Sequence, residues 1–431
     1  MKKLFNLCKK IVNNDYVYSV IAKVLGLFVA IVVSSLTARF FGTELKGVMS
    51  VVQNDVSLYA VFLGLGIYQA YPFFRKKDPT ILPTYLNNIS TLFFLYEAVA
   101  LLVAGGMFAL RLNTYLAIAI TLMPVDAYIK QLNYIVLVET PRRRNTSSLL
   151  ISFSEILILG VMWIFFDATV VTVLSYYIAT ILINLLISFI NLRANPLRIR
   201  FSLKQIWKYI KFGFIPMLVY LCMTINYKID IQMLKWFDNV SFADIGIYGT
   251  GVALATQIWL IPDAIKDILL SKLVKGKNET EVAKVLRINL AICTIAIIFL
   301  VLLGKPAILL MYGSDFSDAY YVMILMLVGV LGMIFYKMIY SYNISQGKRI
   351  INLIFLGIAA IVNVIGNLIL IPICGIWGAA IMSVCSYLIC GLCFLVQFKH
   401  ASRLPYFKLL FMQKEDFAII KQIFTQKRKN K

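Results

Sequence analysis

Twelve runs of about 20 mostly apolar residues, separated by charged or turn-forming stretches, fill most of this sequence. A run of this length crosses a bilayer as one α-helix, because only a helix or a closed barrel satisfies its backbone polar groups in lipid. A chain that is 61% hydrophobic and 14% charged also lacks the polar coat of a soluble protein. We therefore predict an all-α polytopic membrane protein, and we exclude a soluble enzyme and a secreted disulfide scaffold. The predicted spans are 16–38, 48–73, 83–110, 114–138, 148–166, 169–192, 212–236, 245–270, 285–303, 319–345, 351–372 and 376–398.

The basic residues orient these spans. The chain carries 42 Lys and Arg against 20 Asp and Glu, and 33 of the 42 fall in segments that face inside if the N-terminus is inside. Four lie within spans, and only five fall in segments that face outside: Arg39, Lys46, Arg111, Lys305 and, at the outer end of a span, Lys235. Cytoplasmic loops of membrane proteins are enriched in Lys and Arg. The split predicts both termini in the cytoplasm and location in the cytoplasmic membrane, and it explains the charge of +22 without a nucleic-acid partner.

A long basic linker, 193–211, follows the sixth span. It suggests two lobes of six helices each, at 1–192 and 212–398, followed by a basic cytoplasmic tail at 399–431. Repeated halves with a substrate path between them are common in transporters. The short predicted outside loops argue against a membrane-embedded polysaccharide polymerase or glycosyltransferase, which remains a distant alternative.

Charged residues within the spans need a physical reason, because a charge in the bilayer core is costly. The cations are Lys23, Lys130, Lys228 and Lys337, with Arg39 at the end of a span. Lysine and arginine that face a watery cavity bind anions, and several such donors suit a diphosphate. Asp126 and Lys130 lie one helical turn apart, so a structural ion pair and a functional site are both open readings.

Other polar residues within the spans complete the candidate site. Gln257, Asn363 and Asn367 are candidate substrate ligands. Asp55, Glu97, Asp126 and Asp230 are candidates for coupling to H⁺ or Na⁺, or each simply compensates a lysine. The one histidine, His400, lies in the basic tail, so we expect no catalytic residue, no metal site and no cofactor.

Four stretches carry a family resemblance. Residues 19–47, with Thr37, Arg39 and Gly42, are similar to the first helix and loop of polysaccharide flippases, although Ala38 interrupts the usual Thr-Arg pair. Residues 227–248 and 312–319 resemble later stretches of the same proteins. The most specific match is 363–387, which resembles their interrupted signature Asn…Asn…Ile-Pro…Gly-x-x-Gly-Ala-Ala.

The sequence thus resembles the polysaccharide biosynthesis, or O-antigen flippase, proteins of the multidrug/oligosaccharidyl-lipid/polysaccharide (MOP) exporter superfamily. The resemblance implies two six-helix lobes in a V shape and transfer of an undecaprenyl-diphosphate-linked oligosaccharide across the membrane by alternating access. It also implies contact with membrane lipids and with polysaccharide polymerase and chain-length proteins. A multidrug exporter of the same superfamily, driven by Na⁺ or H⁺, is the nearest alternative, and the basic span residues disfavour it.

Overall fold

The computed structural model describes residues 15–192, 201–274 and 279–416, and every regular element in them is helical. Most of these helices are long and apolar, as the runs in the sequence predict. In chain order they are α1 (Asp15–Leu63), α2 (Ile67–Lys77), α3 (Leu82–Ala109), α4 (Thr114–Glu139), α5 (Pro141–Phe165), α6 (Val170–Asn191), α7 (Leu203–Leu234), α8 (Phe242–Thr256), α9 (Leu260–Val274), α10 (Glu279–Tyr312), α11 (Ala319–Ser345), α12 (Arg349–Cys374), α13 (Ile376–Ser402) and α14 (Tyr406–Leu410).

Ten helices in the described ranges are long and apolar enough to cross a membrane, which confirms a multi-pass membrane protein. The ten do not include α4, which carries Asp126 and Lys130, and they count α1 once. Twelve spans with both ends of the chain in the cytoplasm therefore remain a prediction.

Two breaks near the start of the chain differ from the predicted spans. The predicted loop at 39–47 is helical except at Gly42, whose φ of 72° and ψ of −175° divide α1. The predicted span 48–73 is interrupted at 64–66, between α1 and α2. There Leu65 and Gly66 have φ of 44° and 67°, and the Gly66 backbone lies so close to Gly213 that an added Cβ would sit 2.4 Å from the Gly213 carbonyl oxygen. A left-handed residue ends a helix, and glycine adopts that conformation at little cost.

Most other predicted boundaries agree with the structure to within a few residues. Helix α6 begins at Val170, directly after the short connection around Asp167. Three spans are longer or more complex than predicted. Helix α7 begins at Leu203, inside the predicted linker, and α10 extends the predicted 285–303 at both ends. The predicted span 245–270 is two α-helices joined by a 3₁₀ turn at Gln257–Trp259. Pro262 follows that turn, where its ring removes one helical hydrogen bond.

The described chain divides into two compact units, at 1–247 and 248–431. In the first unit, two clusters of buried side chains hold α1 to α7 together. One joins α1 to α4, α5 and α6 through residues such as Val52, Ile129 and Tyr176. The other joins α2, α3, α4 and α7 through residues such as Tyr85 and Leu132. Helix α7 thus packs with the helices that precede it in the chain.

In the second unit, α11, α12 and α13 pack closely through small residues. An added Cβ at Gly391 of α13 would lie 2.2 Å from the Gly332 carbonyl oxygen of α11, and one at Gly378 would lie 2.3 Å from the Leu370 oxygen of α12. Small residues let membrane helices approach this closely. The signature-like stretch 363–387 therefore forms a packing surface between α12 and α13.

Candidate functional site

Two of the predicted cations meet at one serine in the first unit. Lys130 of α4 donates to the Ser57 carbonyl oxygen of α1 at 3.2 Å. Lys228 of α7 donates to the Ser57 hydroxyl at 2.5 Å. Asn54, one turn earlier on α1, donates to the Lys228 carbonyl at 2.9 Å. Three helices thus place two ammonium groups beside one residue, and we call Ser57, Asp126, Lys130 and Lys228 the cation cluster.

The two lysines of the cation cluster differ in their partners. Asp126 Oδ2 lies 2.7 Å from Lys130 Nζ, so the ion pair that the i, i+4 spacing suggested is present. Within the described part of the chain, no carboxylate lies within 4.0 Å of Lys228 Nζ. The side chains of Asp126 and Lys130 are 21% and 31% exposed, so neither is fully enclosed by protein. The cluster therefore carries two positive charges against one negative charge.

A second ion pair joins α1 to the C-terminal end of α7. Asp55 is 1% exposed, and both of its carboxylate oxygens accept hydrogen bonds from Lys235 Nζ, at 2.9 and 2.8 Å. Beside it, Gln232 Nε2 donates to the Tyr59 hydroxyl at 3.2 Å. The sequence placed Lys235 in an outside loop, but the structure places it directly after α7, paired with a residue 180 positions away. Asp55, a predicted coupling residue, thus compensates a lysine.

The second unit has a cation site of its own. Lys337 Nζ of α11 lies 2.8 Å from both carboxylate oxygens of Asp263, and Lys266 Nζ lies 3.1 Å from one of them. Lys337 Nζ also lies 5.0 Å from the centroid of the Trp259 ring, in cation–π geometry. No sequence pattern pairs Asp263 with Lys337, because 74 positions separate the two residues.

The remaining predicted residues lie apart from these clusters. Asn363 and Asn367 are fully buried and share a hydrogen bond of 2.6 Å, consistent with packing between helices. Arg39 is exposed, and Gln257 is partly buried in the 3₁₀ turn. Asp230 is buried on α7. One acid and one cation complete the set. Glu97 Oε2 is buried without a hydrogen bond from the described residues, and the side chain of Lys23 lies outside the described part of the chain.

The fold occurs in known transporters. The chain aligns with a structure titled lipid II flippase MurJ, inward closed conformation, with a TM-score of 0.71 and 16% identity over 91% of this chain and 89% of that one. An inward-facing MATE-family multidrug resistance transporter of the MOP superfamily aligns with a TM-score of 0.65 and 14% identity over 87% and 94%.

A MOP superfamily transporter from Pyrococcus furiosus, whose title reports a binding pocket of reverse polarity that suggests a different function, aligns with a TM-score of 0.52 and 13% identity over 91% and 96%. No protein-family model and no curated protein sequence matches the chain. The chain therefore has the fold of MOP superfamily transporters.

Proposed function

We propose that this protein is a flippase that moves an undecaprenyl-diphosphate-linked oligosaccharide across the cytoplasmic membrane by alternating access. The observation that supports this most is the cation cluster, in which Lys228 lies in a membrane helix and no carboxylate of the described residues lies within 4.0 Å of its Nζ. An uncompensated charge in a span usually serves function, because stability alone would remove it. An anionic group on the substrate would supply the missing partner.

The geometry of the cation cluster suits a diphosphate. Lys130 and Lys228 both contact Ser57, so their ammonium groups lie close together. A diphosphate has acceptor oxygens for both. A phosphate that accepts from Lys228 Nζ replaces the Ser57 hydroxyl and makes a charge-assisted bond. Polar residues then bind the sugar, and the prenyl tail stays in the lipid. The likeness to a lipid II flippase supports a lipid-linked substrate.

A second function, a Na⁺- or H⁺-coupled multidrug exporter, is favoured by a different observation. The carboxylates Asp55, Asp126 and Asp263 each pair with a lysine in or beside a span. A proton or Na⁺ that displaced one of these lysines would change the contacts between helices, which is what ion coupling requires. The likeness to a MATE transporter supports this alternative, and the net positive charge of the cation cluster opposes it.

Transport of a lipid-linked oligosaccharide by the purified protein tests the proposal. The protein is reconstituted in vesicles, and the substrate that reaches the outer leaflet is measured with an impermeant sugar-oxidising reagent. We compare Lys228→Gln and Lys130→Gln with Lys305→Gln, since Lys305 is an exposed lysine that contacts Tyr321 and forms no ion pair with a described residue. Each cluster variant should lose roughly tenfold or more in rate, because a hydrogen bond to a charged group contributes about 1.5–3 kcal/mol.

Two results would contradict the proposal. One is a wild-type rate in both cluster variants, which would remove the cation cluster from the substrate path. The other is no transport of the lipid-linked oligosaccharide by wild-type protein together with Na⁺- or H⁺-driven efflux of cationic drugs from the same vesicles. That second result would establish the exporter instead.

A further inference from the structure

The chain after α13 is held against α10 by a buried arginine. Arg287 of α10 donates to both carboxylate oxygens of Asp416, from Nε at 2.6 Å and from Nη2 at 2.8 Å. Its Nη1 donates to the Lys408 carbonyl at 2.6 Å. Asp416 and Leu409 are fully buried. A buried bidentate pair with a third hydrogen bond fixes residues 403–416, which we call the C-terminal strap, to the first third of α10.

The opposite surface of the strap is aromatic and exposed. Tyr406, Phe407 and Phe411 are 41%, 64% and 57% exposed. The rings of Phe407 and Phe411 stack with centroids 5.2 Å apart, and Lys399 Nζ lies 5.6 Å from the centroid of the Tyr406 ring. Three aromatic side chains within six consecutive positions are costly to leave in water, so this surface needs a partner.

Charge and position identify the partner. Arg403, Lys408 and Lys414 are exposed on the strap, Glu415 is its one exposed acid, and none of the three cations forms an ion pair with a described residue. The strap follows α13 directly, and α13 is long and apolar enough to cross the membrane, so the strap lies where the chain leaves the bilayer. Aromatic side chains concentrate at that interface, and clusters of Lys and Arg bind anionic headgroups.

We propose that the C-terminal strap binds the surface of the membrane as an anionic-lipid anchor. Tyr406, Phe407 and Phe411 insert among the headgroups, while Arg403, Lys408 and Lys414 contact lipid phosphates. The Arg287–Asp416 pair sets the depth of these side chains by fixing the other side of the strap to α10. This inference is independent of what the protein transports.

Depth-dependent quenching in lipid nanodiscs tests the anchor with the full-length chain. A tryptophan replaces Phe407, and its emission is obtained by subtracting the spectrum of the wild-type protein, which has five tryptophans. Brominated phosphatidylcholine quenches an indole in the interface. The discs contain phosphatidylcholine alone or with one quarter phosphatidylglycerol. The triple variant Arg403→Gln/Lys408→Gln/Lys414→Gln in the same background removes the charge but leaves the buried side of the strap unchanged.

We expect strong quenching of the Phe407→Trp emission, increased about twofold by phosphatidylglycerol, and loss of that increase in the triple variant. Asp416→Asn should lower the quenching in both kinds of disc. If that variant misfolds, the exchanged pair Arg287→Asp/Asp416→Arg replaces it and should restore the quenching. Absence of quenching in every disc would overturn the proposal and indicate a protein partner or a second copy on this surface. Equal quenching with and without phosphatidylglycerol would overturn the role of the basic residues.

Discussion

Removal of Lys235 should destabilise the protein much more than neutralisation of its partner, Asp55. Asp55 is 1% exposed and Lys235 is 21% exposed. Without Lys235, the Asp55 carboxylate stays buried and unpaired, and breaking a buried pair in this way costs about 3–5 kcal/mol. Because water reaches the lysine end of this pair, we take the lower limit, about 3 kcal/mol, for Lys235→Met.

The reverse change leaves a smaller defect. In Asp55→Asn, the lysine turns toward water and the amide keeps one acceptor, so the loss should be about 1 kcal/mol, the value of an ordinary hydrogen bond. The double variant has no buried charge left, and we expect it to lose about 2 kcal/mol. The four proteins form a cycle with a coupling energy of about 2 kcal/mol.

The assay is reversible unfolding of the protein in mixed micelles with increasing dodecyl sulfate, followed by circular dichroism. Lys266→Met is the matched control, because Lys266 and Asp263 are 39% and 35% exposed and such a pair contributes less than about 1 kcal/mol. Equal losses for Lys235→Met and Asp55→Asn, or a coupling energy near zero, would refute the reasoning that burial of Asp55 dominates.

Three further outcomes follow from the geometry. Gly378→Ala should lower the unfolding free energy by more than about 1 kcal/mol, since its Cβ would lie 2.3 Å from a carbonyl oxygen, whereas Gly357→Ala, with nothing within 4 Å, should be neutral in the same micelle assay. Asn363→Ala should lower stability by about 1–3 kcal/mol but leave the transport rate per folded molecule unchanged; a tenfold slower rate would instead place Asn363 in the substrate path. Acid should release the strap. Burial opposes the charge of Asp416, but hydrogen bonds from Arg287 and the Gln413 backbone outweigh that effect and lower the pKa of Asp416. The ionised Asp416 therefore stabilises the strap fully above the ordinary carboxyl pKa of about 4, and this stabilisation is lost as pH falls through the lowered pKa. Hydrogen exchange of residues 406–416, corrected for intrinsic rates, should show that loss in wild-type protein and not in Asp416→Asn.

The sequence predicted the helices well because each depends on local composition. A run of apolar residues determines a span whatever surrounds it, so α3, α6, α12 and α13 begin and end close to the expected positions. The Asp126–Lys130 pair was also predictable, since residues four apart share a face of any helix. These features need no knowledge of the rest of the fold.

Features that depend on distant residues were not predictable. The break at 64–66 reflects the close approach of Gly66 to Gly213, and the pairs Asp55–Lys235 and Asp263–Lys337 join helices far apart in sequence. Positive charge in a short loop usually determines topology, so Lys235 gave no signal of a buried partner. Lys46, also assigned to an outside loop, is buried and donates to the Ser34 carbonyl.

The pairing of charges bears directly on the two candidate functions. A cavity for cationic drugs requires carboxylates that are free to meet the drug. Asp55, Asp126 and Asp263 each contact a lysine, whereas Glu97 Oε2 accepts no hydrogen bond from the described residues. In the cation cluster, Lys130 and Lys228 outnumber Asp126, and at the second site Lys337 and Lys266 outnumber Asp263. Among the described side chains, each site therefore has one more lysine than carboxylate, and an anion gains from that excess. An exporter of cations would first have to neutralise it, whereas a diphosphate would bind the lysines as they stand, and for this reason we favour the lipid-linked substrate.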